Sequence, residues 1–212
     1  MKKKEIVLIG GGGHCKSCID VIEAQGEFSI AGIVDLKEKI GQEVLGYKIR
    51  WSDNDLDQLF DFYKYYFITI GQLDTGLTRR RIFNKLKKER KELPVIVSPK
   101  AYVSKHARIG QGSIVMHKAI INSNSVIHEN SIINSGAIIE HDAVVYGNCH
   151  ISTGTVLNGN VIINRNCFIG SRTTVLQNVT VHKDIVIGAG SLVTKDLHEP
   201  GVYIGLPARK KQ

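Results

Sequence analysis

From Val97 to Val193 every sixth residue is Val, Ile or Leu, seventeen positions with no break in phase. A period this regular fixes the architecture ahead of any other feature, because each repeat sets the same side chain in the same environment. Two further registers run beside it. Four residues after each apolar position the side chain is mostly small: Ala101, Ala107, Ser113, Ala119, Ser125, Ser131, Ala137, Ala143 and Cys149. Three residues after, from Gly112 to Asp196, the chain carries Asn, Gly or Asp everywhere except at Lys118 and Arg172. Asn, Gly and Asp tolerate the left-handed backbone, so a sharp bend is expected once per repeat. Three strand-and-bend units then close a triangular coil of about eighteen residues, stacked on the next at the roughly 4.8 Å spacing of paired strands, and about five coils fit. No proline interrupts the ladders between Pro99 and Pro200.

Residues 1–93 follow a different pattern and are expected to form a separate domain from residues 94–212. "KEIVLIG" reads as a buried strand, and "GGGHCKSCIDVIEAQG" as a glycine turn running into a helix. "SIAGIVD" is a second strand ending at Asp35, "YYFITIG" a third ending at Gly71, and "TRRRIFNKLKKER" an amphipathic helix. This βαβ order implies a parallel sheet with right-handed crossovers. The turn "GGGGH" is not a dinucleotide fingerprint, since the third glycine of G-x-G-x-x-G falls on Cys15 or Lys16. It remains a glycine-rich turn leading into a helix N-terminus, a seat for a phosphate or a sugar hydroxyl. Asp35 is placed to accept from a ribose or sugar hydroxyl. The segment is too short for two mononucleotide halves, which favours one nucleotide over NAD.

The 212 residues are 42% hydrophobic and 23% charged, enough to bury a core without disulfides. The N-terminal apolar run is too short for a signal-peptide core, and no eighteen-residue apolar span follows. A cytoplasmic protein without a membrane segment is expected. The net charge of +8 is concentrated in Arg79, Arg80, Arg81, Lys85, Lys87, Lys88, Arg90 and Lys91, which read as a solvated helix face rather than a nucleic-acid site. Cys15 and Cys18 form a CxxC with no second pair, so packing at a helix start is expected rather than zinc. Cys149 and Cys167, eighteen residues apart, fall in the small inward register as core residues.

The repeat resembles the hexapeptide-repeat, left-handed parallel β-helix of the acyltransferase superfamily, and "GVYIGLPARK" resembles the ending of those enzymes. Together with "IVLIGGGGH", "IIEHD" and "HISTG", the whole chain resembles the sugar acetyltransferases of bacterial glycan biosynthesis. The resemblance implies an α/β Rossmann-like half-domain ahead of the β-helix, acetyl-CoA as cosubstrate, no metal, and a homotrimer with active sites between neighbouring β-helices. It implies His141 as general base and Asp142 as its acidic neighbour, although Asp142 also stands where the repeat requires a bend. A neutral imidazole suits proton removal from an attacking amine, and a nearby carboxylate fixes its tautomer. It further implies coenzyme contacts at His150, Ser171 and Ala189, and nucleotide-sugar contacts at Gly12, Gly13, His14, Asp35 and Gly71. Leu36 stands where some members carry a second acidic residue.

The function implied is acetyl-CoA-dependent N-acetylation of a nucleotide-activated sugar, a UDP-4-amino-4,6-dideoxy sugar being the expected acceptor. O-acetylation of a sialic-acid-type sugar would use the same base. Of other classes, a non-catalytic nucleotide-sugar-binding protein stays open. A zinc-dependent γ-type carbonic anhydrase is disfavoured, because no histidine pair has its five-residue spacing.

Overall fold

The computed structural model describes residues 3–211, and among these two bodies of different construction are joined by the segment between Lys88 and Ile96. The first is a five-stranded sheet of order β3-β4-β2-β1-β5. Its strands are β1 (Lys4–Ile9), β2 (Phe28–Asp35), β3 (Glu43–Val44), β4 (Tyr47–Ser52) and β5 (Tyr65–Ile68), with β3 antiparallel and the others parallel. Helices α1 (Gly13–Gln25), α2 (Leu56–Leu59) and α3 (Leu77–Lys88) complete the domain. The continuous apolar run of β1 follows from its central place, with Ile6, Val7, Leu8 and Ile9 covered on both faces. The β3–β4 hairpin lies in the stretch between Asp35 and Tyr65, where no strand pattern is read from the residues alone.

From Ile96 to Val193, strands of two residues, or three at Ile185–Ile187, alternate among three stacks of parallel strands. Strands eighteen residues apart pair in register, as Ile120 with Ile138 and Ile138 with Val156. This is the parallel β-helix expected from the repeat, left-handed as the family resemblance implies. The bends stand where the Asn/Gly/Asp register places them. Every sixth residue from Gly112 to Gly190 has φ between 55° and 68°, including Lys118 and Arg172, which hold the same backbone without the favoured residue type. Asp196 departs from the register, with no positive φ, because the chain there leaves the last coil for the hairpin of Gly201–Gly205 and Ala208–Lys210.

The small inward register has a second purpose. Its hydroxyls and thiols donate to the carbonyl fifteen residues ahead: Ser113 to His128, Ser125 to Glu140, Thr155 to Gly170 and Thr173 to Gly188, at 2.9–3.1 Å. Cys149 and Cys167 do the same toward Asn164 and His182 at 3.0 and 3.1 Å. The two buried thiols thus act as weak-donor counterparts of serine, and burial raises the pKa of Cys149 well above that of a free thiol. Cys15 and Cys18 are likewise buried, on α1, and burial pushes Cys15 up to about 11.

The helix α3 docks the first domain on the coil edge. Arg79, expected on a solvated face, is instead 1% exposed. Its guanidinium donates to the carbonyls of Ile68 and Ile70 at 2.6 and 3.0 Å and, across the boundary, to that of Gly112 at 3.3 Å. Carbonyl acceptors satisfy the planar fork, and burial lowers its pKa only to about 10, so the group stays charged. On the neighbouring side of the boundary, His117 Nε2 lies 2.6 Å from Asp20 on α1. Behind the docked face runs a ladder of corner amides, Asn130 to Asn148 to Asn166 to Asp184.

Candidate active site

A cavity of about 650 Å³ opens where the C-terminal ends of β1, β2 and β5 meet the coil edge. It is lined by all five residues expected to meet the nucleotide sugar, Gly12, Gly13, His14, Asp35 and Gly71, and by His150 from the β-helix. Gly10 forms the turn beneath them. Its φ is 105°, and a Cβ there would lie 2.4 Å from Ile70, so only glycine lets β1 leave the sheet beside β5. Gly12 caps α1 with no side-chain hydrogen bond and no acidic residue follows in the first turn, which leaves the helix N-terminus open to an anion.

Asp35 is more committed than the sequence suggests. It accepts from the N–H groups of Gly11 and Leu36 at 2.6 and 2.7 Å, and the Lys39 ammonium lies 3.1 and 3.2 Å from its two oxygens. Burial pushes its pKa up, but these donors outweigh it and hold the carboxyl below the usual range. Asp35 therefore braces the glycine turn, and its lone pairs are already used.

At the other side of the cavity sit two neutral imidazoles. Burial lowers His14 to about 3, helped by Arg79 and then His150, and its Nε2 is buried without a partner among the described residues. Burial also lowers His150 to about 4. Its Nδ1 lies 2.7 Å from the Gln72 carbonyl and its Nε2 3.0 Å from the Asn134 amide nitrogen. A carbonyl only accepts, so Nδ1 carries the proton and Nε2 takes the amide donor. His150 is thus a buried strand residue, 5% exposed, with both ring nitrogens engaged by protein partners. Gln72 binds both parts of the site, since its side-chain amide also donates to the carbonyls of Asn148 and Cys167.

His141 stands elsewhere, on the bend after Ile138–Ile139, and does not line the cavity. Its Nδ1 is 2.8 Å from Asp142 Oδ2, and Asn124 donates to Asp142 Oδ1 at 2.6 Å. These hydrogen bonds, from Asn124 first and His141 second, hold the Asp142 carboxyl below its ordinary range. A carboxylate accepts the Nδ1 proton, which leaves the Nε2 lone pair free. Asp142 combines a bend, with φ of 60°, and a hydrogen bond to the imidazole. The ring lies over Gly159, eighteen residues on, where a Cβ would come within 2.8 Å of Cε1 and 2.9 Å of Nε2.

Ser171 and Ala189 are neighbours on successive coils, through the Gly190 N–H donating to the Ser171 carbonyl at 2.8 Å. Their own turn N–H groups donate no backbone bond among the described residues, and both residues lie outside the cavity. No group of three or more His, Cys, Asp or Glu among the described residues is arranged to hold a metal, and no helix is long and apolar enough to cross a membrane. Gln72, Asn134, Arg79 and Gly159 are site residues that the sequence reading missed. Gly159 alone had a signal, one coil beyond His141.

The PglD N-terminal domain family matches residues 5–86. PerB from Caulobacter crescentus, solved with CoA and GDP-perosamine, is 33% identical over 98% of this chain and 97% of its own, with a TM-score of 0.91. A perosamine N-acetyltransferase of that organism with a histidine replaced by asparagine is 34% identical over the same shares, with a TM-score of 0.92. The acetyltransferase domain of PglB from Neisseria gonorrhoeae FA1090, solved with acetyl coenzyme A, is 30% identical over 99% of this chain and 100% of its own, with a TM-score of 0.89. Comparison with curated protein sequences gives no match. The shared two-domain build and the overlap along nearly the whole chain place the protein in the sugar N-acetyltransferase family of the hexapeptide-repeat superfamily, alongside PerB and PglB.

Proposed function

We propose that the protein transfers the acetyl group of acetyl-CoA to the amino group of a nucleotide-activated amino sugar. The observation that carries this reading is His141, with Nδ1 tied to Asp142 and Nε2 free above Gly159. In this scheme Nε2 removes a proton from the attacking amine, the amine nitrogen bonds to the thioester carbon, and the sulfur leaves as the thiol of CoA. Asp142 stabilises the imidazolium that forms. The open N–H groups at Gly12 and Gly13 hold the sugar's diphosphate. The turn N–H groups of Ser171 and Ala189 meet the coenzyme. His150 acts as a neutral wall of the acceptor cavity rather than as a coenzyme ligand. The relatives whose names specify N-acetylation favour an amine over a hydroxyl as nucleophile.

His141 and the cavity belong to different faces of one chain. A sugar held by one copy therefore needs His141 from a second, and the expected homotrimer brings the two together. The test is thiol release from acetyl-CoA with GDP- and UDP-linked 4-amino sugars, with the product identified by mass and by its stability to base. Turnover that disappears in His141→Ala supports the reading. Full activity in that variant removes His141 from the mechanism, and absence of turnover with every acceptor removes the reading itself.

A further inference from the structure

The end of the cavity beyond Asp35 holds side chains that the scheme above does not use. Ser52 pairs with Asp35 across β4 and β2, which brings the turn after Ser52 to the cavity. That turn, Asp53–Asp55, is fixed by a reciprocal cap in which the Ser52 N–H and hydroxyl both donate to Asp55, at 2.8 and 2.7 Å. Asp55 is thereby occupied. Asp53 lines the cavity, is exposed, and has no hydrogen bond or ion pair among the described residues. Asp35 cannot serve in its place, since its oxygens are taken by Gly11, Leu36 and Lys39. Lys39 and Leu36, the latter 47% exposed, line the same end.

We infer that this end reads guanine, with Asp53 accepting from N1–H and the N2 amino group, Lys39 donating to O6, and Leu36 packing on the ring. The inference rests on the nucleotide-sugar reading above and selects guanine where the resemblance in sequence suggests uracil. It follows from the order of donors and acceptors along each base. Guanine presents acceptor, donor, donor, which complements a cation beside a carboxylate. Uracil presents acceptor, donor, acceptor, and sets its second carbonyl against a carboxylate oxygen. Adenine and cytosine place an acceptor at the centre, where a carboxylate repels it. Two parallel N–H donors on one carboxylate form the bidentate arrangement that gives both strength and discrimination.

Calorimetric titration with GDP and with UDP tests this on the full-length wild type and on Asp53→Asn. The wild type is expected to bind GDP about ten-fold or more tightly than UDP, the scale of one charge-assisted pair. Asp53→Asn should lose most of that preference, weakening GDP by a similar factor with UDP bound no more weakly than by the wild type, while its thermal melting matches the wild type. Equal or tighter binding of UDP overturns the assignment, as does unchanged GDP affinity in the folded variant. Thiol-release assays separate this from the reading beneath it. Turnover with a UDP-amino sugar but not its GDP counterpart sinks guanine and leaves acetyl transfer standing. GDP binding that depends on Asp53, without turnover of any amino sugar, sinks acetyl transfer and leaves the base assignment.

Discussion

Acidification from pH 7.5 to pH 5 should destabilise the protein through two side chains at its cavity. His14 and His150 are held neutral by burial down to about 3 and about 4. An unfolded chain binds a proton at each with a pKa of about 6.5. Over this window the unfolded state therefore takes up protons that the folded state refuses, so stability falls as pH falls. By pH 5 the loss is about 2 kcal/mol for each histidine and about 4 kcal/mol for the pair. For a chain of this size that lowers Tm by about 8–16 °C. Circular-dichroism melts at pH 7.5, 6.0 and 5.0 measure it, a range chosen to stay above the titration of most carboxylates. Whatever the Tm from which His14→Gln and His150→Gln start, each should show about half the wild-type drop between the end points. Variants that lose as many degrees as the wild type would refute the reasoning, as would an imidazole signal from either residue titrating near pH 6.5.

Three further outcomes follow from the site. Gly159→Ala puts a methyl group within 2.8–2.9 Å of the His141 ring, at a backbone that any residue can adopt. Displacing the base should lower kcat about ten-fold or more with Tm nearly unchanged, as steady-state kinetics and a melt will show. Asp142→Asn keeps a residue suited to the bend but removes the charge, so kcat should fall about ten-fold. Steady-state kinetics and a melt check this together, and an unchanged kcat in the folded variant would leave Asp142 as a bend only. Arg79→Met strips the donor from the carbonyls of Ile68, Ile70 and Gly112, which should cost about 3 kcal/mol or more and expose the junction near residue 94 to limited proteolysis.

The solenoid was legible in the sequence because its physics is local and periodic. Each bend needs a left-handed residue and each inward position a small or β-branched one, so spacing alone places Val145, Cys149 and Asp142. His141 was legible as the residue on the wall that the repeat does not demand. The docking of the two domains was not, because it depends on long-range partners with no spacing. Arg79 reads as one more cation in a basic helix until the carbonyl of Gly112 is seen beside it. Gln72 sits in a loop, and nothing local announces that its two ends meet His150 and Asn148. The commitment of Asp35 was hidden for the same reason, since the donors that saturate it come from a turn twenty-four residues earlier and from Lys39.

The contacts that cross from the first domain land on successive levels of the solenoid. Arg79 reaches Gly112 and Asn130, while Gln72 reaches Asn148 and Cys167. These acceptors climb one coil at a time, so the first domain spans four levels, a rise of about 14 Å at the spacing of paired strands. It acts as a gauge laid along the stack. Inserting or deleting one coil between Gly112 and Cys167 would leave one set of anchors a full level out of reach and break the cavity between them. Coils added beyond Cys167 would leave every anchor where it is. In related chains, changes of length should therefore gather toward the C-terminal coils, with the count beneath the first domain held fixed by the acceptor cavity.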